Sequence, residues 1–170
     1  MARNIEIKAR VADMAGSTAR AAAIADGGPV EIAQDDTFFR CDSGRLKLRV
    51  FEDGRGELIF YRRPDADGPK VSFYVLSPTD SPDTLREALT LANGQAGRVV
   101  KHRTLFMVGR TRVHLDRVQG LGDFMELEVV LADDEPAEDG VREAHALMAS
   151  LGISQESLVI GAYHDLLQQR

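Results

Sequence analysis

Arg45-Leu46-Lys47-Leu48-Arg49-Val50 puts a cation at every second position with an aliphatic side chain between. Successive side chains of a strand point to opposite faces, so Arg45, Lys47 and Arg49 share one face and Leu46, Leu48 and Val50 the other. The same two-residue period recurs in both directions from this stretch. Upstream, Glu6, Lys8 and Arg10 oppose Ile5, Ile7 and Ala9. Downstream, Lys101 and Arg103 share a face, and Arg110, Arg112, His114 and Asp116 oppose Val113 and Leu115. Further on, Phe124, Glu126 and Glu128 oppose Met125, Leu127, Val129 and Leu131.

Strands are expected over 3–11, 34–40, 45–52, 57–63, 70–77, 98–108, 110–118 and 123–132. Asp53-Gly54-Arg55-Gly56 reads as the hairpin turn between the third and fourth. Helices are expected over 13–25, where Gly27-Gly28-Pro29 ends the run, over 82–93 behind Ser81-Pro82, and over 137–151 before Gly152. Ser154 caps a short helical piece, and 164–169 adds a last turn. The order is one strand, a helix, four strands, a helix, three strands, then helices. Meandering antiparallel strands with helical insertions give an α+β class in one domain spanning 1–170.

Two geometries satisfy the alternation. The charged faces can be the solvated outside of a sheet over an apolar core. Alternatively the sheet closes with its charges inward and helices cover the apolar outside. A charged lumen is costly unless its charges are paired, hydrated or met by a charged ligand. Basic residues predominate on several strands and acidic ones on two, which favours the closed form; periodicity alone leaves both open.

The net charge is −6, which argues against a general nucleic-acid binder, since phosphate contacts need basic surface. No apolar run nears the ~20 residues of a membrane span. The first residues are charged and carry no secretory h-region. Cys41, the single cysteine, makes no internal disulfide and fits a reducing compartment. A cytoplasmic location is therefore expected. His102, His114 and His164 are not spaced as a zinc site.

The chain resembles the CYTH proteins, also called triphosphate tunnel metalloenzymes, which include class IV adenylyl cyclases, thiamine triphosphatases and inorganic triphosphatases. Asn4-Ile5-Glu6-Ile7-Lys8 is similar to their Glu-x-Glu-x-Lys strand, with Asn4 in place of the first Glu. Leu46-Lys47-Leu48-Arg49, Leu58 through Pro64 with Arg62 where a Lys is usual, and Val100-Lys101-His102-Arg103 continue the likeness. Lys70 through Tyr74 lacks the Arg and Glu found in many members. The most specific stretch is Val113-His114-Leu115-Asp116 followed by Gly120 through Glu128, whose Gly-Leu-Gly-Asp-Phe form resembles the cyclase-like branch. Ala162-Tyr163-His164-Asp165 is similar to the C-terminal Tyr motif.

The resemblance implies a closed eight-stranded antiparallel barrel with helices outside, and a triphosphate in its tunnel. It implies that Lys8, Lys47, Arg49, Arg62, Lys101, Arg103 and Arg112 grip phosphate, Arg through bidentate forks and Lys as point charges. Arg45 and Arg110 are expected to be surface charges. Mg²⁺ or Mn²⁺ would be held by Glu6, Glu126 and Glu128, with Asp116 nearby as a further ligand or, alternatively, as the group that orients a lysine or arginine. Lys8 is expected to assist proton removal, and Tyr163 to meet substrate at the tunnel mouth. The implied activity is a metal-dependent triphosphatase acting on inorganic or organic triphosphate. A class IV adenylyl cyclase making cyclic AMP and pyrophosphate from ATP is the second reading. A non-catalytic polyphosphate or nucleotide binder, motivated by Asn4, is the third. Uncovered apolar strand faces leave room for a homodimer.

Overall fold

In the computed structural model, which describes residues 2–170, eight strands close on themselves in the order β1-β5-β4-β3-β2-β6-β7-β8. Their ranges are β1 Ala2–Arg10, β2 Gly27–Phe39, β3 Arg45–Phe51, β4 Gly56–Arg62, β5 Lys70–Thr79, β6 Gln95–Val108, β7 Thr111–Val118 and β8 Gly122–Val130. The helices are α1 Met14–Ile24, α2 Pro82–Asn93, α3 Ala137–Leu151 and α4 Tyr163–Gln168, with a 3-10 turn at Gln155–Ser157. Every strand pair is antiparallel. Closure removes the free edges that an open sheet would expose.

The alternation has its charged side inward. Ile7, Val113, Leu115, Met125 and Leu127 face out and meet Ala21 of α1 and Leu147, Met148 and Leu151 of α3. Burying each large aliphatic side chain there contributes roughly 1.5–3 kcal/mol. Gly140 lets α3 lie against the barrel, because a Cβ there would stand 2.6 Å from Leu131 Cδ2 and 2.7 Å from Ile5 Cγ1. The helix ends at Gly152, whose φ of 70° is the left-handed geometry that favours glycine.

A second apolar cluster packs across one end of the barrel. Tyr163 and Leu166 of α4 meet Phe38, Val99, Val118, Leu121 and Phe124. The segment before α4 is tied down by Val159 N–H donating to Lys8 O at 2.9 Å. His164 stacks on Phe38 with ring centroids 4.9 Å apart.

Two strands begin earlier than the sequence suggests. β2 starts at Gly27, not 34, and β6 at Gln95, not 98. The glycines and Pro29 read locally as a helix stop, yet this half of β2 pairs with β6 alone, since β3 joins only from Gln34. Pro29, with no N–H to donate, is tolerated on a stretch with one free side. A register shift between Gly27 and Val30 absorbs the irregularity. β5 likewise runs through Pro78 to Thr79.

Candidate metal and polyanion site

The lumen holds a cavity of about 430 Å³. One wall is cationic: Lys47 and Arg49 of β3, then Lys101 and Arg103 of β6. The other carries His114 of β7 and Glu126 and Glu128 of β8. Lys8 and Glu6 of β1 and Arg63 complete the polar lining. Cross-strand register explains the grouping, since Glu6 stands opposite Glu128, Lys8 opposite Glu126, and Arg112 opposite Glu128.

Buried charges demand partners, and each cluster supplies them. Asp36 is 1% exposed and accepts from Arg49 Nε and Nη2 and from Lys47 Nζ, all at 2.8 Å. Burial alone would raise its pKa. The charges of Arg49 and Lys47 and the Arg49 hydrogen bond outweigh burial and hold it well below the carboxylate range. Asp116, with no exposure, accepts from Arg103 Nε at 2.7 Å and Nη2 at 2.6 Å, and from the Tyr163 hydroxyl at 2.8 Å. Its pKa falls to about 2, because Arg103 and Lys101 overcome the opposing effect of burial.

Glu126 accepts from Lys8 at 3.0 Å and from Arg103 at 2.7 Å. It too is held well below its usual value: burial opposes ionisation, but the charges of Lys8 and Arg103 prevail. Glu128 pairs with Arg112 at 2.9 Å. Lys101 differs from these. It is 6% exposed, makes no hydrogen bond among the described residues, and has its nearest carboxylate oxygen, on Asp116, at 3.9 Å. Burial and the adjacent Arg103 bring its ammonium down to about 7, against the pull of Asp116.

One ligand atom each from His114, Glu126 and Glu128 lies within 4.8 Å of the others. His114 Nδ1 is 3.8 Å from Glu126 and 3.9 Å from Glu128, and is buried without a hydrogen-bond partner. Burial and Arg103 lower the His114 pKa and favour neutral imidazole, which is the ligating form. Asn4 Oδ1, also lining the lumen, is a second buried acceptor without a partner. Two carboxylates, an imidazole and an orphaned amide oxygen fit a divalent cation.

Lys8, Lys47, Arg49, Lys101, Arg103, Arg112, Glu6, Glu126 and Glu128 all line the lumen. Three expected placements are corrected. Arg62 is exposed on the outer face, its guanidinium 6.0 Å from the Phe60 ring. Arg63 takes the inward place and pairs with Glu6. Asp116 lies behind the lining with both oxygens engaged by Arg103, so it positions that arginine and is not among the grouped metal donors. Tyr163 does line the cavity, but at the end covered by α4 and not at an open mouth; it is 4% exposed, with the Lys8 ammonium 4.0 Å from its ring centroid.

Arg110 is an exposed partner of Glu135 and Glu143, as a surface charge would be. Arg45 is less exposed and joins Asp65 to Asp165 of α4. His102, His114 and His164 lie apart: His102 by Glu31, His164 on Phe38. Asp36, Arg63, Gln34 and the place of His114 beside Glu126 and Glu128 escaped the sequence. The signal for Asp36 lay in the register that sets it opposite Arg49. For Arg63 none existed, because Leu58, Ile59, Phe60 and Tyr61 are apolar on both faces and hide the parity.

The fold and site define a closed barrel whose lumen gathers Lys47, Arg49, Lys101 and Arg103 beside a His114, Glu126 and Glu128 group able to hold a divalent cation. The chain belongs to the CYTH domain family, whose model matches residues 2–163. It is 25% identical over 173 residues to the adenylate cyclase CyaB of Aeromonas hydrophila, covering 97% of this chain and 88% of that one. The fold matches the PH1012 protein of Pyrococcus horikoshii with a TM-score of 0.86 at 20% identity, over 96% of this chain and 99% of that one. A Hippeastrum protein described as a putative adenylyl cyclase with dominant triphosphatase activity matches at 0.68 and 16% identity, over 98% and 95% of the two chains. No helix of the described residues is long and apolar enough to cross a membrane.

Proposed function

We infer that the protein is a divalent-metal-dependent triphosphatase whose substrate lies in the barrel lumen. The observation carrying this reading is that Lys47, Arg49, Lys101 and Arg103 line the same cavity as the His114, Glu126 and Glu128 group, on adjoining arcs of the barrel that meet where Arg103 bonds Glu126. A triphosphate carries about four negative charges near neutrality and needs both surfaces. Arg49 and Arg103 hold its oxygens in a fixed geometry, Lys47 and Lys101 add point charge, and Arg112 meets the end nearest Glu128. His114, Glu126 and Glu128 would hold Mg²⁺ or Mn²⁺, with Glu6 and Asn4 beside them. Such an ion supplies charge neutralisation on the bridging and leaving oxygens when bound. The cations stabilise charge that builds on the leaving phosphate. Lys8 is assigned to assisting proton removal from the attacking water, a role open to it only as the free amine, after the ammonium paired with Glu126 has given up its proton to solvent.

A cyclase reading is favoured by the likeness to the Aeromonas protein. There the nucleophile is the substrate's own 3′-hydroxyl and pyrophosphate leaves. The test is product analysis from ATP and from tripolyphosphate with Mg²⁺ and Mn²⁺ tested separately. Orthophosphate release supports the triphosphatase; cyclic AMP with pyrophosphate replaces it with the cyclase. Triphosphate bound without either product leaves a binding module.

A further inference from the structure

The helices lie against β1, β2, β3, β6, β7 and β8, and none lies along β4 or β5. The inward side chains of these two strands, Glu57, Ile59, Tyr61, Ser72, Tyr74 and Leu76, line the lumen, so Leu58, Phe60, Phe73 and Val75 point out. Cross-strand register sets Phe60 opposite Val75 and Arg62 opposite Phe73. None of the four apolar residues belongs to the clusters that seat the helices, and Phe73 and Val75 are 36% and 49% exposed. An apolar patch shared by adjacent strands and rimmed by charge marks an interaction surface.

The two ends of this face carry opposite charge. At one end Phe73 is flanked by Arg62 of β4 and Arg3 of β1. Arg62 is exposed and makes no ion pair among the described residues; its guanidinium rests 6.0 Å from the Phe60 ring. At the other end stand Glu52, just past β3, and Asp80, just past β5, both exposed and both without an ion pair among the described residues. The neighbouring Asp53 and Asp83 are already paired, with Arg55 and Arg86. A face of one sign selects a partner of the other sign, whereas a face with both signs at opposite ends is complementary to itself. A two-fold axis across the strands sets each basic end on the partner's acidic end and makes two equal sets of pairs.

We propose that the outer face of β4 and β5 is the interface of a homodimer, in which Phe60, Phe73 and Val75 of two copies pack together and Arg62 of each copy meets Asp80 of the other. The two sheets then pack face to face at about 10 Å, with β4 and β5 of one copy antiparallel to those of its partner. An axis along the strands would instead set Arg62 on Arg62 and Asp80 on Asp80, and such like-charge contacts suppress it. A face two strands wide lies at the small end of interface sizes, so the dimer forms and dissociates with concentration. Each copy keeps its own lumen, because none of Leu58, Phe60, Arg62, Phe73 and Val75 lines it.

The test is sedimentation velocity of the full chain from low to high micromolar concentration. Wild type is compared with Val75→Glu, Arg62→Glu, Asp80→Arg and the double variant Arg62→Glu/Asp80→Arg. All three positions are exposed, and a thermal melt and circular dichroism spectrum of each variant check that the barrel is intact. Wild type is expected to pass from monomer to dimer over this range. Val75→Glu should weaken association about a hundredfold and each single charge reversal about tenfold, while the double variant recovers most of that loss. A wild type that stays monomeric throughout, or a dimer equally strong in Val75→Glu, overturns the proposal. A double variant no stronger than either single reversal overturns the antiparallel pairing of Arg62 with Asp80. None of these outcomes depends on what the lumen binds.

Discussion

Arg49 and Arg103, on different strands, are held in the same way: each spends Nε and Nη2 on the two oxygens of a buried aspartate directly across the strand pair. For Arg49 the aspartate is Asp36, and for Arg103 it is Asp116. Each arginine follows a lysine two residues earlier, Lys47 or Lys101, whose nearest carboxylate is that same aspartate. In both, Nη1 has no hydrogen-bond partner among the described residues. The barrel thus carries two Lys-x-Arg units, each fixed from behind by one carboxylate, with donor capacity left for a ligand.

Removing either carboxylate leaves a buried guanidinium undercompensated. Asp36→Asn keeps the shape but deprives Arg49 and Lys47 of their shared charge. A loss of about 3 kcal/mol in unfolding free energy is expected, since breaking one side of a buried pair costs about 3–5 kcal/mol and the amide oxygen still accepts one bond. Urea denaturation measures it. A midpoint equal to wild type would show that Asp36 does not hold the pair.

The same carboxylates set the acid limit of the fold. Asp36, Asp116, Glu126 and Glu128 all have folded pKa values below their ordinary ones. Between the two values the unfolded chain binds more protons, so stability rises with pH there. Their contribution is fully present above about pH 5 and is lost as pH falls toward 2, the folded value for Asp116. For Asp116 alone the loss is roughly 2 kcal/mol. Urea midpoints from pH 6 down to pH 3 should fall steadily, and less steeply in Asp116→Asn.

Much of this was legible from strand parity. Lys47 and Arg49, Lys101 and Arg103, and Glu126 and Glu128 each flank an apolar residue, and one period fixes their common face. Parity does not say which face is inside, and closure decided that through the helices that cover Ile7, Val113 and Leu127. It gave nothing for Arg62 and Arg63, where both faces of β4 are apolar; there the family resemblance alone chose Arg62, and a one-residue difference reverses the side chain. It left open whether Asp116 joins Glu126 as a ligand or orients a cation, because that depends on which cation reaches each carboxylate across neighbouring strands.

Lys101 is the lumen lysine without a hydrogen bond among the described residues, so its burial is only partly offset, by Asp116 at 3.9 Å. Its folded pKa of about 7 lies below the ordinary lysine value. The charged form therefore costs stability below pH 7, and that cost fades as pH rises toward 10. Lys101→Met removes the charge at similar length. The variant should be more stable than wild type at pH 6, while its affinity for tripolyphosphate falls tenfold or more. At pH 8 the wild type should take up protons on binding, because the polyanion restores the ammonium. Calorimetry in buffers of different ionisation enthalpy reads this, and the uptake should shrink in Lys101→Met.

The division of labour between Asp116 and the glutamates is tested by cation affinity without substrate. Glu128 offers an oxygen to the group formed with His114 and Glu126, whereas both Asp116 oxygens are committed to Arg103. Ligand charge sets the affinity of a site for a hard cation. Glu128→Gln keeps an acceptor for Arg112 but removes one charge, and Mn²⁺ affinity should fall on the order of tenfold or more. Asp116→Asn should weaken Mn²⁺ binding less than Glu128→Gln does, since it acts only through Arg103 and its contact with Glu126. Direct Mn²⁺ titration followed by electron paramagnetic resonance separates the two. An equal or larger loss in Asp116→Asn would return Asp116 to the cation's own ligands and undo its assignment as the residue that positions Arg103.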